Sequence, residues 1–135
     1  LKIKLLQIFT NWPTLQKVAA FEIDAASAIR LSRFMMAAQQ ELELIENARQ
    51  KLIQRYGIEL DGKWQILPDH HQDFLAAFNT ILQDKIEIYD PRLSSGILDG
   101  QRLSAVDFFA IAWLFDRDSM IGLIETVDPE SQREE

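Results

Sequence analysis

The densest grouping of side chains able to bind a metal or move a proton is Asp69-His70-His71-Gln72-Asp73. Neighbouring residues on a helix project about 100° apart, so the two imidazoles diverge, and Asp69 with Asp73 forms only an i,i+4 pair. A closed zinc site needs four ligands and a catalytic one three. The stretch therefore reads as solvated polar residues in the first turn of a helix, and no metal is expected. Carboxylates are plentiful, yet each lies in a solvated or helix-capping context, whereas a general acid needs a buried site to raise its pKa. The sequence holds no glycine-rich phosphate loop, no nucleophile elbow and no metalloprotease helix motif. Absence of cysteine removes disulfides, thiol nucleophiles and thiolate metal sites, and fits a reducing compartment. No cofactor is expected, and the residues point away from an enzyme.

Charge narrows the partners. The 135 residues include 14 basic and 21 acidic side chains, net −7 with both histidines neutral, which opposes nucleic-acid backbones and anionic lipid. Lys17, Arg30 and Arg33 are too few to outvote that balance, and the aromatics fall in helical stripes rather than on a strand platform. The apolar runs are shorter than the ~20 residues of a membrane helix, and no basic-then-apolar leader opens the sequence. Neither a membrane span nor a secretory signal is expected. With 47% hydrophobic, 10% aromatic and 26% charged residues, this is a folding rather than a disordered composition.

The elements follow from periodicity and punctuation. Leu1-Lys2-Ile3-Lys4-Leu5 alternates at period two, predicting a short strand with Ile3 and Leu5 inward. Pro13 suits the first position of a short helix running to about Ala20, with Trp12 as the apolar staple at its entry. From Ala25 to Tyr56 there is neither glycine nor proline; Asp24 can cap the start, and Gly57 would supply a left-handed stop. That predicts a rod of about 48 Å. Its apolar stripe would be Leu31, Met35, Ala38, Leu42, Ile45, Leu52 and Tyr56. Gln39, Gln40, Glu43, Glu46, Asn47, Gln50 and Gln54 would face solvent. Residues 57–67 read as a hairpin. Side-chain pairing favours a three-residue Leu60-Asp61-Gly62 loop that sets Ile58 opposite Trp64 and Glu59 opposite Lys63, with Gly62 at positive φ.

Pro68 and Asp69 open the next helix, whose apolar face is Phe74, Leu75, Phe78, Ile81 and Leu82. Lys85-Ile86-Glu87-Ile88-Tyr89 alternates again and is the natural partner of the first strand. Pro91 to Arg102 reads as a surface loop. Ser104-Ala105-Val106-Asp107 is a capping box with aspartate in place of glutamate. The helix it opens, to residue 115, carries two apolar stripes, Val106-Phe109-Trp113 and Phe108-Ala112-Phe115. A second apolar patch follows at Met120, Ile121, Leu123, Ile124 and Val127. The expected fold is α+β and predominantly α-helical: one long helix packed with two or three further helices plus a small antiparallel sheet or hairpin. A single domain is expected over 1–127 and a flexible acidic tail over 128–135.

The run Ala37-Ala38-Gln39-Gln40-Glu41-Leu42-Glu43, continuing into Ala48-Arg49-Gln50-Lys51-Leu52-Ile53-Gln54-Arg55-Tyr56-Gly57, precedes Asp61-Gly62-Lys63-Trp64-Gln65-Ile66 and Leu103-Ser104-Ala105-Val106-Asp107. In this order the features resemble a family of small helical proteins of tailed bacteriophages and prophages. The resemblance spans most of residues 2–115, rests on helix and turn motifs, and carries no catalytic residues. It implies a protein of the host-cell cytoplasm or the virion, working with another phage or host protein. The surplus of apolar surface points to self-association, most simply a dimer, through Phe108, Phe109, Trp113, Phe115, Ile121 and Ile124. A non-enzymatic interaction or assembly protein is the expected function. A small acidic anti-host or anti-defence inhibitor, and an oligomer that sequesters a ligand, remain as alternatives.

Overall fold

A computed structural model describes residues 1–116. It is the expected mainly helical α+β fold. The elements are β1 (Lys2–Lys4), α1 (Leu5–Ala19), α2 (Ala25–Tyr56), β2 (Gly57–Leu60), β3 (Lys63–Ile66), α3 (His71–Leu82), β4 (Lys85–Glu87) and α4 (Ala105–Ile111). They make two compact units. The first comprises Leu1–Thr10 with Met36–Ile88; the second comprises Asn11–Met35 with the described residues from Tyr89. The expected boundary at 127 and the tail at 128–135 lie outside the described residues.

In the first unit, β1 and β4 pair antiparallel with Lys2 opposite Glu87, Ile3 opposite Ile86 and Lys4 opposite Lys85. Backbone bonds extend the pairing at both ends, from Leu5 N–H to the Asp84 carbonyl and from Ile88 N–H to the Leu1 carbonyl. Ile3 and Leu5 are buried, as the alternation requires. Leu5, Ile45 and Leu82 form a cluster joined by Leu6, Leu42, Phe78, Ile81 and Ile86, so the long helix packs on α3 as its stripe predicts. Phe9 meets Phe78 edge to face at 5.5 Å, a favoured aromatic geometry.

Helix α2 has the predicted bounds. The Asp24 carboxylate accepts from Ser27 N–H at 3.0 Å, which holds its pKa below the usual carboxylate range. Gln39, Gln40, Glu43, Glu46, Asn47, Gln50 and Gln54 are all exposed. Phe34, absent from the predicted stripe, is fully buried beside Leu31 and Ala38 in the sequence of the same helix.

Five local expectations are corrected. Helix α1 starts at Leu5 and contains Pro13 in its interior rather than at its first position. An interior proline costs about 3 kcal/mol, but Ile8, Leu15 and Val18 are fully buried, and each contributes about 1.5–3 kcal/mol, so the longer helix wins. Trp12 is consequently half-buried in mid-helix instead of stapling an entry.

The hairpin uses the tighter two-residue turn, with Leu60 opposite Lys63, Glu59 opposite Trp64 and Ile58 opposite Gln65. Asp61 at φ 52° and Gly62 at φ 76° are both left-handed, as a type I′ turn requires. Ile58, Leu60 and Trp64 all remain exposed. Neither face is buried enough for side-chain pairing to choose the register, so the turn chooses it. Gly57 is not left-handed; a Cβ there would sit 2.5 Å from the Gln65 carbonyl oxygen and 2.7 Å from that of Ile53. It is needed for the close approach of β3, not for a helix stop.

The stretch from Pro91 is no plain surface loop. Pro91 and Leu93 are fully buried, Leu93 bridges Phe115 in parallel, and Ser95–Leu98 forms a 3-10 turn capped by Ser94. Arg30 Nε donates to the Pro91 carbonyl at 2.9 Å, and the Asp90 carboxylate accepts from Arg92 N–H at 2.9 Å, where the chain turns through a φ of 48°.

Candidate interaction surface

Helix α4 belongs to the second unit and is fastened at both ends. Ser104 Oγ accepts from Asp107 N–H at 3.0 Å, the forward half of the expected capping box. The Asp107 carboxylate meets Lys17 Nζ at 3.0 Å and accepts from Thr14 Oγ1 at 3.4 Å, tying α4 to α1. The Lys17 ammonium is the main reason the Asp107 carboxyl lies below its ordinary pKa. At the other end the Ala110 carbonyl accepts from Asn11 Nδ2 at 3.1 Å and from Trp113 Nε1 at 2.7 Å. Helix-terminal carbonyls lack partners within the helix, and here two side chains supply them.

The helix stops at Ile111, where φ is −115° and ψ 12°, and Ala112–Leu114 continue as a 3-10 turn. Beyond that break the 3.6-residue spacing no longer applies. The expected stripes therefore separate. Phe109 is 84% exposed and Val106, one turn earlier, 79%. Trp113 does not extend that face; it folds back, half-buried, with its ring 6.1 Å from that of Phe34. Phe108 is half-buried with its ring 6.1 Å from Phe115. Phe115 is only 6% exposed, and with Ile111 and Leu114 it faces the interior, so it presents no open surface. Ile121 and Ile124 lie outside the described residues. Among the described residues the open part of the expected surface is thus Phe109, joined by Val106 from the same stripe.

His70 Nδ1 lies 3.6 Å from an Asp73 carboxylate oxygen and both side chains are open to solvent. Among the described residues no three histidine, aspartate or glutamate side chains converge as a metal site. Arg30 is occupied by Pro91 and Ser27. A cleft of about 420 Å³ lies in the second unit, where Glu22, Asp24 and Asp99 surround Ser27, Ser94 and Gln101. Among the described residues no helix is long and apolar enough to cross a membrane. No family model, curated protein or solved structure matches the chain.

Proposed function

We propose that this chain is a non-enzymatic interaction protein that self-associates through α4, acting in the host cytoplasm or in the virion as an assembly component of a tailed phage or prophage. The observation that carries the reading is the exposure of Phe109 and Val106 on one face of a helix held in place at both ends. Isolated exposed apolar residues are ordinary on protein surfaces. A phenylalanine and a valine one turn apart on a fixed helix make a different object, because little backbone order remains to be lost on docking. An aromatic ring removes about 150–250 Å² from water when covered. The pair therefore supplies the centre of an interface rather than the ~800 Å² that each partner of a standard one buries. A two-fold pairing brings the same pair from each copy together, with no need for a second complementary surface. The phage setting is supported by the resemblance of the helix and turn motifs alone.

Light scattering over a micromolar concentration range tests the reading. A dimer mass in the native chain, reduced to a monomer mass by Phe109→Asp with unchanged helical circular dichroism, supports it. A native chain that stays monomeric as concentration rises overturns it.

A further inference from the structure

We propose that the first unit binds a small phosphate-class anion in the cleft beside β1 and β4. The cleft measures about 230 Å³ and is lined by Lys2, Ile3, Lys4, Gln7 and Lys85. Three of its five lining residues carry ammonium groups and none carries a carboxylate, in a chain where acids outnumber bases 21 to 14.

Register explains the convergence. Ile3 is buried and its partner Ile86 packs on the Leu5 cluster, so alternation puts Lys2, Lys4, Lys85 and Glu87 together on the other face of the pair. Lys4 sits directly opposite Lys85. Like charges so placed destabilise a strand pair. The nearby acid Glu87 pairs with the Leu1 ammonium at 3.6 Å and with none of the three lysines within 4 Å. Glu87 faces Lys2 across the ladder, is not part of the lining, and its side chain is 74% exposed. Asp84 is exposed and contributes its backbone carbonyl to Leu5. The first turn of α1 holds no acidic residue. Among the described residues none of the three lysines makes an ion pair within 4 Å. Lys4 Nζ donates to the neutral Gln83 Oε1 at 2.8 Å, which satisfies a donor and leaves the charge uncompensated.

The chemistry of the lining selects the anion. Lysine is a compact point charge with three donors, suited to the oxygens of a tetrahedral phosphate. The planar, bidentate grip on a carboxylate is the work of arginine, and the lining has none. Gln7 adds an amide whose oxygen is engaged by Lys4 N–H at 3.0 Å, leaving its NH₂ as a further donor. The volume lies below the ~300 Å³ at which pockets for drug-sized ligands begin, which fits a phosphate or diphosphate group rather than a whole nucleotide.

Titration of the isotope-labelled full chain with inorganic phosphate and pyrophosphate, against sodium chloride of equal ionic strength, tests the site by amide chemical shifts. Saturable shifts confined to Lys2, Lys4, Gln7 and Lys85, stronger with pyrophosphate, are expected. Lys85→Gln should weaken binding about tenfold, the equivalent of one charged hydrogen bond. The anion-free Lys85→Gln protein should melt at the same or a higher temperature, because the like-charge opposition is gone. Lys63→Gln, at the hairpin tip, should leave binding unchanged. The proposal is overturned if shifts fail to saturate at millimolar pyrophosphate, if chloride reproduces them, or if Lys85→Gln binds as the native chain does. Binding of a single-stranded oligonucleotide without any response to phosphate or pyrophosphate would also overturn it.

Discussion

An alanine at position 57 has nowhere to put its methyl group. Its Cβ would lie 2.5 Å from the Gln65 carbonyl oxygen and 2.7 Å from the Ile53 carbonyl oxygen. Both are backbone atoms, one in the paired strand β3 and the other in the last turn of α2, so no side-chain rotation clears them. Forced overpacking of this kind costs about 1–3 kcal/mol. Against it stands the gain of about 0.4–1 kcal/mol that replacing glycine brings by restricting the unfolded chain. Gly57→Ala should therefore lose about 0.5–2 kcal/mol in urea melts. The hairpin offers a route of relief, because Ile58, Leu60 and Trp64 are exposed and little burial is lost if β3 swings away. That route has its own signature. The Leu67 amide, which donates to the Tyr56 carbonyl at 3.1 Å, should lose hydrogen-exchange protection. Gly96→Ala is the control: its only near neighbour is Ser94 Oγ at 3.4 Å, and its stability should stay within about 0.5 kcal/mol of native. An unchanged or raised midpoint for Gly57→Ala, with the Leu67 amide still protected, would refute the close-approach explanation.

Ile45→Ala, in the buried cluster with Leu5 and Leu82, should cost about 3 kcal/mol, half-buried Leu42→Ala about 1–2 kcal/mol and exposed Gln40→Ala less than about 0.5 kcal/mol, all by denaturant melts. Gly62→Val places a β-branched residue at a φ of 76° and should lose about 1–2 kcal/mol, whereas a native midpoint would show that the turn is not left-handed. Glu46 is held at a pKa of about 2, from an ordinary 4.5, chiefly by its hydrogen bonds to the Arg49 guanidinium. A depressed carboxyl stabilises fully above its unfolded pKa and loses that contribution as pH falls toward the folded value. Because the side chain is half exposed, Glu46→Gln should cost only about 0.3–0.5 kcal/mol at neutral pH. The gap from native should close between pH 4.5 and 2.

Helix α2 was legible because no glycine or proline interrupts 25–56 and Asp24 stands where a cap is needed. The pairing of β1 with β4 was legible because both segments alternate. Helix α1 was misread because Pro13 carries the signature of a helix start, and local sequence does not show that Ile8, Leu15 and Val18 find buried partners. The hairpin register was misread because pairing rules assume a buried face, and this hairpin has none. On α4 the open position of Phe109 followed from spacing, but the burial of Phe115 did not. The break at Ile111 re-aims everything after it, and no glycine or proline marks that break. The lysine cleft is not legible in the sequence although both its strands are, because the charge clash between Lys4 and Lys85 exists only once their register is set.

The bonds that complete the second unit join residues made at very different times. Asn11 meets Ala110 across 99 positions, and Lys17 meets Asp107 across 90. At about 5–20 residues per second, a ribosome takes about 5–20 s to cross such a gap, whereas a helix such as α2 forms within about a microsecond of its residues becoming free. The turns of α2 can therefore form and break many times before the residues of α4 are made. Helix α4 is made well after its Lys17, Thr14 and Asn11 anchors. Any contact made through the proposed Phe109 surface therefore waits for this closure.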